Sequence, residues 1–143
     1  MKRIIHALVL AAVFGLFAIS SWADDLAKLE GKWSVKKTNK DGQSYTQVLE
    51  IKKDKFKFSM LAGGGEVFIY AEGDIKLSKL GAFSAVKFFN IKGGSSADQI
   101  EPIDDDHESI YVLEENSWTI TSNFDKPRDD QKPTADAYIR VRK

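Results

Sequence analysis

The sequence predicts an all-β fold: an eight-stranded antiparallel up-and-down barrel with a short N-terminal helix. Three observations carry this. Apolar and polar residues alternate with a period of two through most of the chain after Gly31. Turn-forming residues interrupt the alternation at intervals of about 8 to 15 positions, the spacing of an all-β sandwich or barrel. The connections also alternate in character. Segments 39–44, 62–65, 92–107 and 125–133 are long or glycine-rich, whereas 53–54, 79–82 and 114–116 are short. In a meander, alternate connections share an end, so one end is tied off tightly and the other carries loops. Closure into a barrel removes the exposed strand edges that a flat sheet would leave.

The elements follow in order. Residues 24–30 read as a helix, acidic at Asp24-Asp25 and stopped by Gly31. The first strand, 32–38, sets Trp33 and Val35 on one face. Asp41-Gly42 supplies the positive φ of a tight turn. The second strand, 45–52, points Leu49 and Ile51 inward, and the third, 55–61, alternates Phe56, Phe58 and Met60 with Lys55, Lys57 and Ser59. The fourth is long, 66–78, with Val67, Ile69, Ala71, Ile75 and Leu77 on one parity and Gly73 at a bend. The fifth, 83–91, is apolar on both faces and contributes Phe89 to the interior. The sixth and seventh, 108–113 and 117–124, bring Trp118, Ile120 and Phe124 inward. The eighth, 134–142, turns Ala135, Ala137, Ile139 and Val141 inward.

Residues 1–23 carry the pattern of a secretory signal peptide: Lys2 and Arg3, an apolar run from Ile4 to Ile19, then Ser21-Trp22-Ala23 before Asp24. That run is short of the roughly 20 residues a spanning helix needs. The expected product is one domain, 24–143, in the periplasm or outside the cell, with His107 as its one histidine. Removing Lys2 and Arg3 from 21 basic residues leaves 19 against 21 acidic, a mixed surface with no footprint for nucleic acid or anionic membrane. Without cysteine there is no disulfide, thiolate metal site or Cys nucleophile.

Gly31-Lys32-Trp33 opens the first strand after a helical turn, and Arg140 and Arg142 stand near the end of the last. This combination resembles the lipocalins (calycins). The run 29–33, Asp41-Gly42 and Lys132-Pro133-Thr134 are similar to those of small secreted bacterial lipocalin-like domains. The resemblance implies that Gly31, Trp33 and Arg140 or Arg142 close the barrel's base, with the arginine across the indole. It also implies a small hydrophobic or amphipathic ligand inside. The chain departs from the family in its shorter length, its lack of cysteine and its lack of a C-terminal helix.

On strand direction, Val35, Met60, Val67, Phe89 and Phe124 are the expected ligand-lining residues near the open end. The alternative is a barrel filled by its own large side chains, whose loops around 63–65, 98–106 and 125–132 bind another secreted protein. Asp104-Asp105-Asp106-His107 lacks the glycine of a calcium loop and the partners of a zinc site, so no metal is expected. Residues 93–96, Gly-Gly-Ser-Ser, lack the lysine and following helix of a phosphate cradle and read as a loop. No cofactor is implied. No nucleophile–base arrangement or marked carboxylate pair is visible, so binding is expected in place of catalysis. Phe68 and Tyr70 on the outer face are candidate contacts to a second copy.

Overall fold

The computed structural model describes residues 22–128 and 130–143. The expected leader, 1–23, lies outside these apart from its last two positions, where the helix α1 (Trp22–Leu29) begins. Asp24 and Asp25 occupy the first turn of α1 and Lys28 the last, the arrangement that complements a helix dipole. No helix among the described residues is long and apolar enough to cross a membrane.

Nine strands follow: β1 (Gly31–Thr38), β2 (Ser44–Lys52), β3 (Lys55–Ala62), β4 (Val67–Leu80), β5 (Phe83–Ser96), β6 (Gln99–Pro102), β7 (His107–Leu113), β8 (Ser117–Ser122) and β9 (Thr134–Arg140). Eight of them form a closed antiparallel ring, β1-β2-β3-β4-β5-β7-β8-β9 and back to β1. These are the eight strands that the alternation predicts. The seam between β1 and β9 pairs Trp33 with Arg140 and Ser34 with Ile139.

The ninth strand is a departure from expectation. Gly93-Gly94-Ser95-Ser96 continues β5 instead of forming a loop, and β6 folds back against it, pairing Gly94 with Ile100. Glycine is required here because a Cβ on Gly94 would collide with the Gln99 carbonyl. β6 is four residues long and ends in proline, which limits its exposed edge.

Two irregularities change which side chains face inward. At the β4–β5 pair the register slips between Glu72 and Asp74. A Cβ on Gly73 would lie 2.7 Å from the Phe89 carbonyl oxygen, and Asn90 takes φ 52°. Phe88 and Ile91 are therefore the buried residues of this stretch. Phe89 lies on the outer face opposite Asp74, with the Lys87 ammonium 6.0 Å from its ring. The interior assignment of Phe89 is corrected accordingly. A second slip, between Met60 and Leu61, sets Val67 opposite Leu61 instead of in line with Met60.

β9 also runs in the opposite phase to the one expected. Tyr138 is buried and Arg140 lies over Trp33, whereas Ile139 is 54% exposed and Val141 lies beyond the strand, also exposed. Phe124 likewise falls past the end of β8 and is exposed.

The core sits in the lower half of the barrel. Trp33 and Trp118 are fully buried and meet edge to face at 5.7 Å. Tyr111 adds an edge contact to Trp118 at 6.2 Å, and Phe56 meets Phe88 at 5.1 Å. Leu29 from α1, Leu49, Ile51, Val86 and Ile120 fill the remaining space. Such ring pairs contribute about 0.5–1.5 kcal/mol each beyond their buried area.

Candidate functional site

The inner face is organised in layers, and each layer can be followed across the register. Above a floor of Gly31, Ile51, Phe56 and Gly73 lies the layer of Trp33, Leu49, Phe58 and Ala71, each paired in sequence from β1 to β4. Two residues further up lie Val35, Gln47, Met60 and Ile69. The next layer holds Lys37, Tyr45 and Ala62. The two lower layers are packed, but the Val35 layer is only partly covered: Val35 and Met60 are half-buried, and Ile69, although it pairs with Met60, is 42% exposed.

The β9 side of this upper region is polar. The Tyr138 hydroxyl donates to Gln47 Oε1 at 2.8 Å, and Lys37 Nζ pairs with Asp136 at 2.8 Å. Both contacts are part-buried. At the rim, Tyr45 and Phe68 meet edge to face at 6.5 Å. The upper barrel is thus apolar along β1–β4 and hydrogen-bonding along β9, with one cation and one anion already neutralising each other.

Of the expected lining residues, the structure brings Val35 and Met60 together on this inner face. Val67 lies beyond the bulge, Phe89 is on the outer wall, and Phe124 sits in the β8–β9 connection. Ile69, expected on the inward parity of the fourth strand, joins them, whereas Gln47, Tyr138 and Asp136 belong to the region and are not among the expected residues. The parity of β2 already places Gln47 in line with Leu49 and Ile51.

At the base, Arg140 makes the clamp. Its guanidinium carbon lies 4.1 Å from the Trp33 ring centroid. Nη1 donates to the Glu30 carbonyl at 2.8 Å, Nη2 to the Lys28 carbonyl at 2.7 Å, and Nε to the Glu115 carbonyl at 3.4 Å. The Trp33 indole donates to the Leu29 carbonyl at 2.9 Å. Two carbonyls at the C-terminal end of α1, those of Lys28 and Leu29, are thereby satisfied by side chains of β9 and β1. Gly31, at φ 124°, turns the chain between them, and a Cβ there would lie 3.1 Å from Arg140 Nη1. Arg142 lies beyond β9 and is exposed.

The acidic segment at the other end is tied into its own surroundings. Asp105 pairs with Arg128 at 3.2 Å, Asp106 accepts from the Asn90 N–H, and the His107 ring stacks on Phe88 at 5.1 Å. Asp125 would be raised by burial, but the Glu108 N–H and the Arg128 guanidinium outweigh this and hold its carboxyl below the usual carboxylate range. Among the described residues no group of three or more His, Asp or Glu side chains is placed to hold a metal ion.

Burial pushes the phenols of Tyr138 and Tyr111 up, and it pushes Tyr70, whose hydroxyl also donates to Glu72, up to about 12. Because these groups keep their protons longer when folded, their contribution to stability is present below the unfolded value near 10 and is lost as pH rises above it. An absorbance titration at the tyrosinate band should show Tyr70 and Tyr138 silent at pH 10.5 in the folded protein and ionised in denaturant. Full ionisation at that pH without unfolding would contradict this assignment.

Two recesses stand out, and neither is inside the barrel. One, of about 720 Å³, lies at the base between α1, the β4–β5 turn and the β7–β8 turn. The other, of about 550 Å³, lies against β5 and β6 near Ile103. No protein-family model, curated protein or solved structure matches the chain.

Proposed function

We propose that this is a secreted lipocalin-like binding protein that holds a small amphipathic molecule in the upper half of its barrel, with no cofactor and no catalytic step. The carrying observation is the half-covered layer of Val35, Met60 and Ile69 above a packed floor, facing the Tyr138–Gln47 and Lys37–Asp136 pairs. An apolar body would cover the β1–β4 side, gaining roughly 25 cal/mol per Å² buried. A polar group on the same molecule would exchange hydrogen bonds with the β9 side. The leader-like segment 1–23 supports a periplasmic or extracellular location.

The test is binding of 1-anilinonaphthalene-8-sulfonate, an amphipathic fluorophore, together with native mass spectrometry of the purified protein. Wild type should enhance the dye's emission. Ile69→Glu, which places an uncompensated charge in the layer, should weaken binding at least about tenfold, or about 1.4 kcal/mol. No dye binding and no co-purifying molecule, or equal binding by Ile69→Glu, would sink the reading.

A second reading is favoured by one observation: one recess lies at the base and the other against β5 and β6, both outside the lumen. In this reading the barrel is a scaffold and its outer surface docks a protein.

A further inference from the structure

The strands of the ring are not joined evenly. The β1–β2, β2–β3 and β3–β4 ladders run along almost the whole of their strands. The two ladders that flank the β8–β9 hairpin do not. The β1–β9 ladder stops at Ser34–Ile139, although β1 continues to Thr38 and β9 begins at Thr134. The β7–β8 ladder stops at Tyr111–Ile120, although β7 begins at His107 and β8 continues to Ser122. β8 and β9 stay paired with each other up to Ser122–Thr134. Among the described residues, the upper half of this hairpin is thus laddered to itself and to neither neighbour.

Side chains make the joins there instead. On the β7 side the Thr121 hydroxyl accepts from the Ile110 N–H at 2.9 Å and donates to the Ile110 carbonyl at 3.1 Å, in place of two ladder bonds. Asn123 then takes φ 59° and carries the chain away from β7, and the Asp125 carboxylate accepts from the Glu108 N–H at 3.0 Å. On the β1 side Lys37 meets Asp136, and the Tyr138 hydroxyl reaches Gln47. The lower end of the hairpin is fixed: Trp118 is fully buried, and Arg140 is bound to three carbonyls. One end is anchored in the core, and the other is held by side-chain contacts that break more readily than a main-chain ladder.

We infer that the upper half of the β8–β9 hairpin is a hinged gate in the side of the barrel, closed in this structure and opening outward about its Trp118–Arg140 foot. Opening as one body breaks the Lys37–Asp136 and Tyr138–Gln47 contacts on one margin and the Thr121–Ile110 and Asp125–Glu108 contacts on the other. It carries Tyr138 away from Gln47 and uncovers the Val35, Met60 and Ile69 layer from the side. The gate's role as the ligand's entrance rests on the lumen-binding reading above; the hinge itself does not.

The chain has no cysteine, so an engineered pair can form only one disulfide. Continuing the β1–β9 register sets Lys36 opposite Ala137, both exposed and neither among the lumen residues. Lys36→Cys with Ala137→Cys, oxidised, pins the gate to β1, and Thr121→Val removes the join to β7. The first measurement needs no ligand: hydrogen exchange at the Glu108 amide, which bonds to none of the substituted residues. It should slow at least about tenfold in the oxidised double variant, recover on reduction, and quicken at least about tenfold in Thr121→Val, while the amides of the β1–β2 ladder stay unchanged. The second is stopped-flow binding of 1-anilinonaphthalene-8-sulfonate, whose association and dissociation should both slow on oxidation and quicken in Thr121→Val. The oxidised and reduced forms of one protein decide the matter if Thr121→Val does not fold. Glu108 exchange that ignores the distant cross-link overturns the proposal, as does dye entry at the same rate with the gate pinned. A wild type that binds no dye removes the lumen reading, and the exchange result then decides the hinge alone.

Discussion

Trp33→Ala is expected to lower the unfolding free energy by about 3–5 kcal/mol, the range for deleting a buried large aromatic side chain. For a domain of this size that corresponds to a fall in melting temperature of roughly 10–25 °C. Three losses coincide at this position. The indole is fully buried against Trp118 at 5.7 Å, its N–H satisfies the Leu29 carbonyl, and its face carries the Arg140 guanidinium. Trp33→Phe keeps most of the packing and the ring face but leaves the Leu29 carbonyl without its donor. It should cost far less, about 1–3 kcal/mol. Urea unfolding followed by circular dichroism measures both. A Trp33→Ala protein within 1 kcal/mol of wild type would mean that the base is not held in this way.

Arg140→Ala is expected to cost about 2–4 kcal/mol. The guanidinium donates to three carbonyls on two segments, those of Lys28 and Glu30 at the end of α1 and that of Glu115 in the β7–β8 turn, and it covers the face of the buried Trp33 ring as well. Arg140→Lys should recover little of the loss, because an ammonium cannot reproduce the planar fork that reaches two carbonyls while standing over the indole. Arg142→Ala, at an exposed position past β9, should stay within about 0.5 kcal/mol of wild type. A double-mutant cycle between Trp33→Phe and Arg140→Ala should show coupling below about 2 kcal/mol, since the phenyl ring still offers a face to the cation.

The eight wall strands are legible in the sequence because all but the fifth keep a period of two, and the fifth is an apolar run bounded like the others by turn residues. Their closure into a ring follows from the alternation of long and short connections. Which residues face inward is less legible, and the reasons are local. In β9 the two parities are Ala135, Ala137, Ile139 and Asp136, Tyr138, Arg140, and hydropathy alone prefers the first. The structure takes the second, because Tyr138 finds Gln47 and Arg140 finds the indole and three carbonyls. Both partners lie far away in sequence, so no window along β9 contains the deciding contacts. In β5 both faces are apolar, and the turn of the backbone at Asn90 resets the alternation. Val67 is displaced for the same kind of reason, by the slip between Met60 and Leu61. Three of the five residues expected in the upper lumen, Val67, Phe89 and Phe124, therefore disperse, while the base clamp, which rests on a distinctive residue pair, stays together.

The β1–β9 seam has a consequence for the order of events during synthesis. β1 is among the first parts of the domain to be made and β9 the last, and Arg140 contacts residues 110 and 112 positions earlier in the chain. A growing chain can zip β1 through β4 by neighbour-to-neighbour hairpins. It then carries an unpaired β1 margin and an incomplete floor until the final segment arrives. Completion of the ring is a late, high-contact-order step, so a truncation that removes β9 deletes the keystone as well as one stave.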